Sequence, residues 1–182
     1  MSTKTVYLDL AGTIVLPLKP ESLAEIYPIP NAIDAIAQLC SAGFRCPVIT
    51  VQPRIEKGLF TESQFRDWFA AFAADSARQG ALLEGPYVCP HRFVTPCLCK
   101  KPNTLLYQQA ADEHDLQLAG SFVVGDTADD MEAAFRIGGF GCLVRTGWAE
   151  GDAELNRARP HSSLVGADLA EVVAWILART AA

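Results

Sequence analysis

The 182-residue sequence predicts an α/β protein with a Rossmann-like, mostly parallel sheet that carries helices on both faces. Short apolar runs rich in β-branched residues alternate with segments of helical periodicity along the chain. Such alternation is typical of parallel strands, because a helix usually supplies the crossover between them. Neither a Pro/Gly/Ser-rich linker nor an internal repeat divides the sequence, so we expect one domain over residues 1–182.

Strands are predicted where apolar runs end in turn residues, over residues 5–8, 44–51, 85–88, 121–124 and 140–144. Helices are predicted over residues 32–42, from Thr61 onward, and over 103–114, 127–137 and 168–179. Asn31 is the predicted N-cap of the first helix, and Thr61 with Gln64 forms a capping-box pattern. Four prolines between residues 14 and 30 predict a flap over the sheet, and residues 52–60 are expected to form a loop.

Two helices carry apolar faces that we expect to point into the core. An aromatic stripe at helical spacing is far more often core than cofactor site, and the helix that begins at Thr61 has Phe65, Trp68, Phe69 and Phe72. In the helix over 127–137, we expect Met131, Ala134 and Phe135 to face inward. The residues from Trp148 to Asp152 are expected to form a solvated turn.

Composition and charge exclude several classes of partner. The chain has 15 Lys and Arg against 21 Asp and Glu, and the resulting net charge of −6 argues against a surface for nucleic acid or anionic membrane. The N-terminus lacks the apolar core of a signal peptide, and no apolar run approaches the roughly 18 residues of a membrane span. We therefore expect a cytoplasmic protein, with its six cysteines as reduced thiols. A monomer is also expected, although nothing in these patterns determines the oligomeric state.

Reactive side chains fall at the predicted strand ends and helix starts, namely Asp9, Thr50, Lys101, and Asp126 with Asp129 and Asp130. Because ligands of open α/β sheets lie at the carboxyl ends of the strands, we expect these side chains to share one site. Mg²⁺-dependent phosphoryl transfer needs groups of these kinds: a carboxylate nucleophile, a hydroxyl and an ammonium group for the phosphate, and further carboxylates for the metal. Each residue also has a simpler interpretation. Asp9 can cap a loop, Thr50 can be an ordinary strand residue, Lys101 can be a solvated charge, and the Asp129–Asp130 pair can favour a helix start.

The loop after the third predicted strand contains a Cys/His cluster over residues 89–99. Three thiolates and one imidazole form a closed shell of four ligands, which is the composition of a structural zinc site. The ligands would be Cys89, His91, Cys97 and Cys99. The alternative is that three thiols share a loop by accident. The remaining cysteines, Cys40, Cys46 and Cys142, stand singly among apolar residues and are expected to be small core residues.

Several of these segments resemble the haloacid dehalogenase (HAD) superfamily, and within it the heptose-bisphosphate phosphatase and histidinol-phosphatase branch. Residues 9–13 (DLAGT), Thr50, Lys101 and residues 124–130 (VGDTADD) are similar to its motifs I to IV. Residues 58–65, the Cys/His loop and residues 144–147 also match that branch. The resemblance covers about residues 5–148 and implies a fold without a large cap domain.

The resemblance also implies roles for individual residues. Asp9 would attack phosphorus and carry an aspartyl-phosphate, with Lys101 as the second catalytic residue. Mg²⁺ would be held by Asp9, the backbone carbonyl of Ala11, Asp126 and Asp130. The substrate would contact Gly12, Thr13, Thr50, Gln52 and Lys100, the last in place of a family arginine. The implied activity is hydrolysis of a phosphorylated sugar or similar small metabolite, as in the heptose-bisphosphate phosphatases.

Three positions depart from the family pattern. Ala11 stands where the phosphatases carry an Asp that protonates the leaving oxygen and then activates water, and the loss of such a group typically costs about 10²–10⁴-fold in rate. Val51 and Thr127 replace polar residues beside motifs II and IV.

Several explanations of Ala11 stay open. It can be an engineered substitution that traps a complex, or the substrate can have a leaving group that needs little protonation. The chain can also be a pseudoenzyme that binds a phosphorylated ligand without turnover. Phosphonoacetaldehyde hydrolases carry Ala at this position but use a cap lysine that this sequence lacks, and dehalogenases do not need the acidic cluster at residues 126–130.

Overall fold

The computed structural model describes residues 4–180. Its strands are β1 (Val6–Leu8), β2 (Val15–Leu16), β3 (Tyr27–Pro28), β4 (Cys46–Val51), β5 (Leu83–Cys89), β6 (Phe122–Gly125), β7 (Phe140–Val144) and β8 (Ser162–Gly166). Six of them form one sheet in the order β5-β4-β1-β6-β7-β8, and all neighbours in it run parallel. The other two, β2 and β3, form a separate antiparallel hairpin. The predicted α/β fold with a mostly parallel sheet is confirmed.

Helices cover both faces of this sheet. They are α1 (Ala32–Ser41), α2 (Pro53–Glu56), α3 (Glu62–Ala77), α4 (Leu105–His114), α5 (Ala128–Arg136), α6 (Asp152–Ala158) and α7 (Leu169–Thr180). The helices α1, α3 and α7 pack into one apolar core, and α4, α5 and α6 pack on the opposite face. Within residues 4–180, no helix is long and apolar enough to cross a membrane.

Successive residues of the central strand belong to opposite cores. Val6 and Leu8 of β1 point into the core of α1, α3 and α7. Tyr7 points the other way, where its ring meets Tyr107 of α4 at a centroid distance of 5.3 Å. Side chains of a strand alternate between faces, so a strand with helices on both sides is apolar at every position. This is why β1 is a continuous apolar run.

The strand register brings the predicted site residues to one edge of the sheet. Leu8 lies opposite Val124 of β6, so these two strands end almost side by side, whereas β4, whose Val48 lies opposite Leu8 on the other side, continues to Val51. Asp9 follows at once, and its backbone N–H donates to the Val124 carbonyl at 2.8 Å. At the same edge β5 ends at Cys89, which carries the Cys/His loop toward the site.

Two local predictions are wrong. Asn31 precedes α1 but adopts the left-handed region with a φ of 64° and makes no side-chain capping bond. Phe135 is 67% exposed, although Met131 and Ala134 of the same helix are buried as expected. The residues after β7 form the expected solvated turn, in which Trp148–Glu150 adopt 3₁₀ geometry and Trp148, Glu150 and Asp152 are exposed.

Five short strands and helices also lie where no regular structure was expected. The flap over residues 14–30 contains the β2–β3 hairpin, and the loop over 52–60 contains α2. The strand β8 and the helix α6 follow the last strand that the sequence predicts. Most of β8 is half-buried at the sheet edge, so its sequence SSLVG carries only a weak apolar pattern.

The helix α3 begins with the predicted capping box, which gives a test of local stability. Thr61→Ala should lower the free energy of unfolding by about 1 kcal/mol, because the Thr61 hydroxyl accepts a bond from the Gln64 N–H at 3.1 Å. Urea denaturation measures the change. Thr104→Ala is the matched control, since Thr104 precedes α4 without a side-chain capping bond. Its effect should stay within about 0.5 kcal/mol, and equal losses in the two variants would contradict the prediction.

Candidate active site

Lys101 links two of the predicted acidic residues. Its Nζ lies 2.6 Å from Asp9 Oδ1 and 2.7 Å from Asp130 Oδ1. All three residues are buried. Burial by itself disfavours the ammonium form, but the charges of Asp130 and Asp9 outweigh it and hold the pKa of Lys101 well above its usual range. Lys101 is therefore a fixed positive charge beside the end of β1.

The carboxylates of Asp9, Asp126 and Asp130 form a compact acidic cluster, with ligand oxygens that lie within 4.8 Å of one another. Burial raises the pKa of Asp9 to about 6, while the Lys101 charge acts against this rise and Asp130 adds to it. Burial, together with repulsion from Asp9 and Asp130, also holds the pKa of Asp126 well above its usual range. The single positive charge of Lys101 does not neutralise the negative charge of three carboxylates. The cluster therefore fits a divalent cation such as Mg²⁺, which prefers oxygen ligands.

Glycines allow the backbone to approach Asp126 closely. A Cβ at Gly12 would lie 2.2 Å from Asp126 Oδ2, and a Cβ at Gly147 would lie 1.9 Å from the same atom. Gly12 also has a φ of +92°, which side chains rarely adopt. The Trp148 N–H donates to Asp126 Oδ2 at 2.7 Å, and the Thr146 hydroxyl donates to the Gly12 carbonyl at 2.6 Å. Asp126 is thus held mainly by backbone.

Asp130 belongs both to the acidic cluster and to the start of α5. The Thr127 N–H donates to Asp130 Oδ2 at 3.2 Å, and the Asp130 N–H donates to the Thr127 hydroxyl at 3.3 Å. This reciprocal pair is a capping box. The other oxygen, Asp130 Oδ1, accepts a bond from Lys101 Nζ. One carboxylate therefore caps α5 and also belongs to the acidic cluster.

The predicted phosphate-binding hydroxyls are buried next to this cluster. Thr50 is 1% exposed, and its Oγ1 accepts a bond from Gln52 Nε2 at 3.0 Å. Thr13 Oγ1 is buried and has no hydrogen-bond partner within the described part of the chain. A buried hydroxyl without a partner is unusual.

Lys100 is placed differently from Lys101. Its Nζ donates to the backbone carbonyls of Arg92, Phe93 and Thr95 at 2.8, 3.0 and 2.7 Å. Lys100 therefore stabilises the turn of the Cys/His loop, although it also lines the cavity described below. Its predicted contact with substrate stays a prediction.

The Cys/His cluster is assembled at the start of this loop. Cys89 Sγ lies 3.1 Å from Cys99 Sγ and 3.7 Å from Cys97 Sγ, and His91 Nδ1 lies 3.2 Å from Cys99 Sγ. The sulfur atoms are too far apart for a disulfide of about 2.05 Å. A tetrahedron with Zn–S bonds of about 2.3 Å has edges of about 3.8 Å. The arrangement is compatible with the predicted zinc site.

A cavity of about 440 Å³ opens over the acidic cluster. Asp9, Lys101, Asp126 and Asp130 line it, together with Ala11, Gln52 and Lys100. Gly12, Thr13 and Thr50 are not among its lining residues, since they lie beneath the surface. The structure thus brings the predicted catalytic and metal residues into one cavity and places the hydroxyls below its floor.

The rim of the cavity contains residues that the sequence analysis did not select, namely Lys19, Arg54, Lys57, Phe93 and Trp148. They come from the flap, α2 and its end, the Cys/His loop and the turn after β7. Lys19 Nζ lies 4.7 Å from the centroid of the Trp148 ring, in a cation–π contact across the rim. Sequence carries little signal for such a rim, because separate loops meet there only in the folded chain.

Comparison with known proteins agrees with this geometry. The family model described as HAD-hydrolase-like matches residues 98–172. The D-glycero-beta-D-manno-heptose-1,7-bisphosphate 7-phosphatase of Pseudomonas putida is 34% identical over 152 residues, which cover 84% of this chain and 86% of that protein. The chain belongs to the HAD-like hydrolase family.

Further HAD relatives match almost the whole chain. The phosphatase of the same name from Pseudomonas aeruginosa is 32% identical and covers 97% of this chain and 99% of its own. Among solved structures, a D,D-heptose 1.7-bisphosphate phosphatase from B. bronchiseptica, complexed with magnesium and phosphate, has a TM-score of 0.87 at 28% identity. That match covers 97% of this chain and 99% of the other. The predicted resemblance to HAD phosphatases of the heptose-bisphosphate branch is confirmed.

The glycine contacts at Asp126 predict a steric effect that depends on no ligand. Gly147→Ala should lower the free energy of unfolding by about 1–3 kcal/mol, because the added methyl group would overlap the Asp126 carboxylate. Gly151→Ala is the matched control four residues away. A Cβ there would meet its nearest atom at 3.6 Å, and its φ of −83° suits alanine. Chemical denaturation of both variants is the measurement, and a Gly147→Ala protein as stable as Gly151→Ala would disprove the close packing.

Proposed function

We propose that this HAD-like chain acts as one domain and hydrolyses the phosphate ester of a phosphorylated sugar or similar small metabolite with Mg²⁺, like the heptose-bisphosphate phosphatases. The observation that carries the proposal is the contact of Lys101 with Asp9 and Asp130 beside Asp126 in one cavity. It combines a nucleophile, a fixed cation and a set of oxygen ligands. The names of the relatives support a phosphorylated sugar as the substrate.

Asp9 is suited to act as the nucleophile. Its pKa of about 6 leaves the carboxylate ionised at neutral pH. A carboxylate oxygen of Asp9 attacks phosphorus, the ester P–O bond breaks, and the leaving oxygen takes the bonding electron pair. Water then attacks the aspartyl-phosphate, and the P–O bond to Asp9 breaks to restore the carboxylate and release phosphate.

The other residues of the floor would position the transferring phosphoryl group. Lys101, which contacts the attacking Asp9, neutralises charge on the phosphoryl group. Asp9, Asp126 and Asp130, with the backbone carbonyl of Ala11, would hold Mg²⁺. When bound, Mg²⁺ supplies further neutralisation of the phosphoryl oxygens. The methyl side chain of Ala11 leaves its backbone carbonyl available to the metal.

The rim supports a substrate with a second anionic group. Lys19, Arg54 and Lys57 all line the cavity, and none of them forms an ion pair within residues 4–180. Unpaired cations around an opening raise the local concentration of anions. A second phosphate on the substrate, as in the bisphosphates named for the relatives, fits such a rim.

A second candidate function is binding without turnover, and Ala11 is the observation that favours it. The position lines the cavity next to Asp9 but carries only a methyl group. Without an acid–base group there, the floor can bind a phosphorylated ligand and still fail to complete the reaction.

Restoring the acid–base group separates the two functions. Ala11→Asp should raise the steady-state release of phosphate from sugar phosphates by about 10²-fold or more over the wild type, in the presence of Mg²⁺. The double variant Asp9→Asn/Ala11→Asp is the matched control and should be inactive, because it lacks the nucleophile. If Ala11→Asp hydrolyses no ester of a sugar phosphate panel, although one ester binds tightly with Mg²⁺, the chain is a binding protein.

We also propose that Cys89, His91, Cys97 and Cys99 hold a structural Zn²⁺. Purified protein should contain about one equivalent of zinc per chain. Cys89→Ser should lose the zinc and lower the melting temperature, because metal binding contributes directly to folding. Cys40→Ser is the control, since Cys40 lies outside the cluster and is only half-buried. A zinc-free wild type, or a Cys89→Ser protein with unchanged zinc and stability, would refute the site.

A further inference from the structure

Two cysteines outside the Cys/His cluster meet at the edge of the sheet that lies away from the cavity. We propose that Cys40 and Cys46 form a redox-active pair, in which a hydroperoxide oxidises the Cys40 thiolate and the Cys46 thiol then closes a reversible disulfide with it. Cys46 begins β4, and Thr50 lies about 13 Å further along the same strand. The pair is therefore separate from the proposed hydrolytic site, and this inference goes beyond the proposed function.

The fold brings the two thiols together where β4 and β5 begin. Cys40 lies near the end of α1, and one turn separates it from Cys46, with Gly43 at a φ of +83°. In the strand register, Cys46 lies opposite Leu83 of β5. The Cys40 sulfur accepts a bond from the N–H of the neighbouring Leu82 at 3.3 Å. Both cysteines therefore adjoin the start of β5, and their thiols are hydrogen-bonded to each other.

The surroundings of the Cys40 sulfur favour the thiolate, which is the reactive form of a cysteine. The bond from the Cys46 thiol lowers the pKa of Cys40 to about 6, and the backbone N–H adds to this effect, whereas burial and the charge of Glu84 oppose it. Glu84 is paired with Arg45, and its second carboxylate oxygen lies 3.8 Å from His114 Nε2. These neighbours partly neutralise the charge that opposes the thiolate.

The two thiols differ in their access to solvent, which assigns each a role. Cys40 is only half-buried and lies beside Leu82, which is 59% exposed, so a small peroxide can reach its sulfur. Cys46 is fully buried. Its bond to Cys40, together with burial, holds the pKa of Cys46 well above its usual range, so this thiol keeps its proton. Cys40 is thus the attacking thiol, and Cys46 is the resolving thiol.

The oxidation consumes one molecule of peroxide. The Cys40 thiolate attacks one oxygen of the O–O bond, which breaks, and the other oxygen leaves with the bonding electron pair and takes up a proton from solvent. The product at Cys40 is a sulfenic acid. The Cys46 sulfur then attacks the Cys40 sulfur, the S–O bond breaks, and the leaving hydroxide departs as water with the proton of Cys46. The two thiols lose two electrons, and the peroxide gains them.

The remaining cysteines provide internal comparisons. Cys142 is fully buried in β7, and burial raises its pKa to about 12, so it represents an unreactive thiol. Cys89, Cys97 and Cys99 belong to the cluster of the proposed zinc site. Because these three thiols can also be oxidised, the disulfide has to be assigned by position and not by counting thiols.

Peptide mapping of the purified protein tests the disulfide directly. Trypsin cleaves after Arg45 and thereby separates Cys40, in residues 5–45, from Cys46, in residues 46–54. After treatment with hydrogen peroxide and blocking of the free thiols, mass spectrometry should find these two peptides joined. Dithiothreitol should separate them again.

Two variants of Cys46 separate its thiol from its hydrogen bond. Cys46→Ser keeps a donor but has no thiol, so Cys40 should stop at the sulfenic acid, which dimedone traps, and excess peroxide should carry it on to the sulfinic acid. Cys46→Ala also lacks the donor. The pH midpoint for alkylation of Cys40 by iodoacetamide should therefore lie about one unit or more higher in Cys46→Ala than in Cys46→Ser.

Four results would overturn the inference. The first is a wild type whose Cys40 and Cys46 peptides stay separate after peroxide treatment. The second is alkylation of Cys40 at pH 7 that is less than about tenfold faster than that of Cys142. The third is Cys46→Ser without a trapped sulfenic acid at Cys40. The fourth is a Cys40→Ser protein, altered only at a half-buried position, in which peroxide still oxidises Cys46. Every readout concerns thiols, so failure here leaves the proposed phosphohydrolase function standing.

Discussion

The ammonium group of Lys101 between Asp9 and Asp130 is the interaction on which the rest of the site depends. Burying one carboxylate is costly unless it is paired, and here Asp9, Asp126 and Asp130 are buried side by side. Lys101 offsets part of that cost and leaves an excess of negative charge. Burial is the main cause of the raised pKa of Asp9 and of Asp126, and repulsion from neighbouring carboxylates adds to it; a divalent cation would relieve that repulsion. The charge balance of the floor thus connects stability with metal affinity.

Backbone, more than side chains, sets the position of the acidic cluster. Asp126 lies against Gly12 and Gly147, where any side chain would overlap its oxygen, and it accepts the Trp148 N–H. Asp9 is fixed by the N–H···O bond that joins β1 to β6. A site built in this way tolerates changes at neighbouring side chains, because the main chain keeps its path. Ala11 lies on this path between Asp9 and Gly12, so the proposed loss of an acid–base group there would leave the main-chain geometry intact.

The Cys/His loop couples a second cluster to the first. Few apolar contacts hold the loop, since Phe93, Val94 and Leu98 are exposed. Its shape depends instead on the cluster of Cys89, His91, Cys97 and Cys99 and on the bonds of Lys100 to its carbonyls. Lys101 follows directly in the chain. The position of the Lys101 ammonium therefore depends in part on the polar and thiol contacts that shape this loop.

The sequence by itself determined the sheet, its parallel direction and the residues at its carboxyl edge. A strand such as β1 is apolar at every position because it is buried on both faces, and Asp9 at its end is then conspicuous. Thr50, Lys101 and Asp126 were identified as partners of Asp9 because they also follow or end predicted elements. The Cys/His cluster was identified because its four members lie within eleven residues of one another. Local sequence patterns were sufficient to identify these residues, because the strand, helix or loop that contains each residue also determines its position.

Only the tertiary structure decided how the cavity is closed and what its walls offer. The contact of Lys19 with Trp148 joins residues from the flap and from the turn after β7, and no local pattern relates them. No local pattern predicts that Lys100 donates to the carbonyls of its own loop, or that the hydroxyl of Thr13 is buried without a partner in the described part of the chain. The edge strand β8 and the exposed ring of Phe135 were also beyond the sequence, because burial at the margin of a fold depends on which neighbours arrive. Loops from distant parts of the chain meet only after folding, and the rim of this site is made of them.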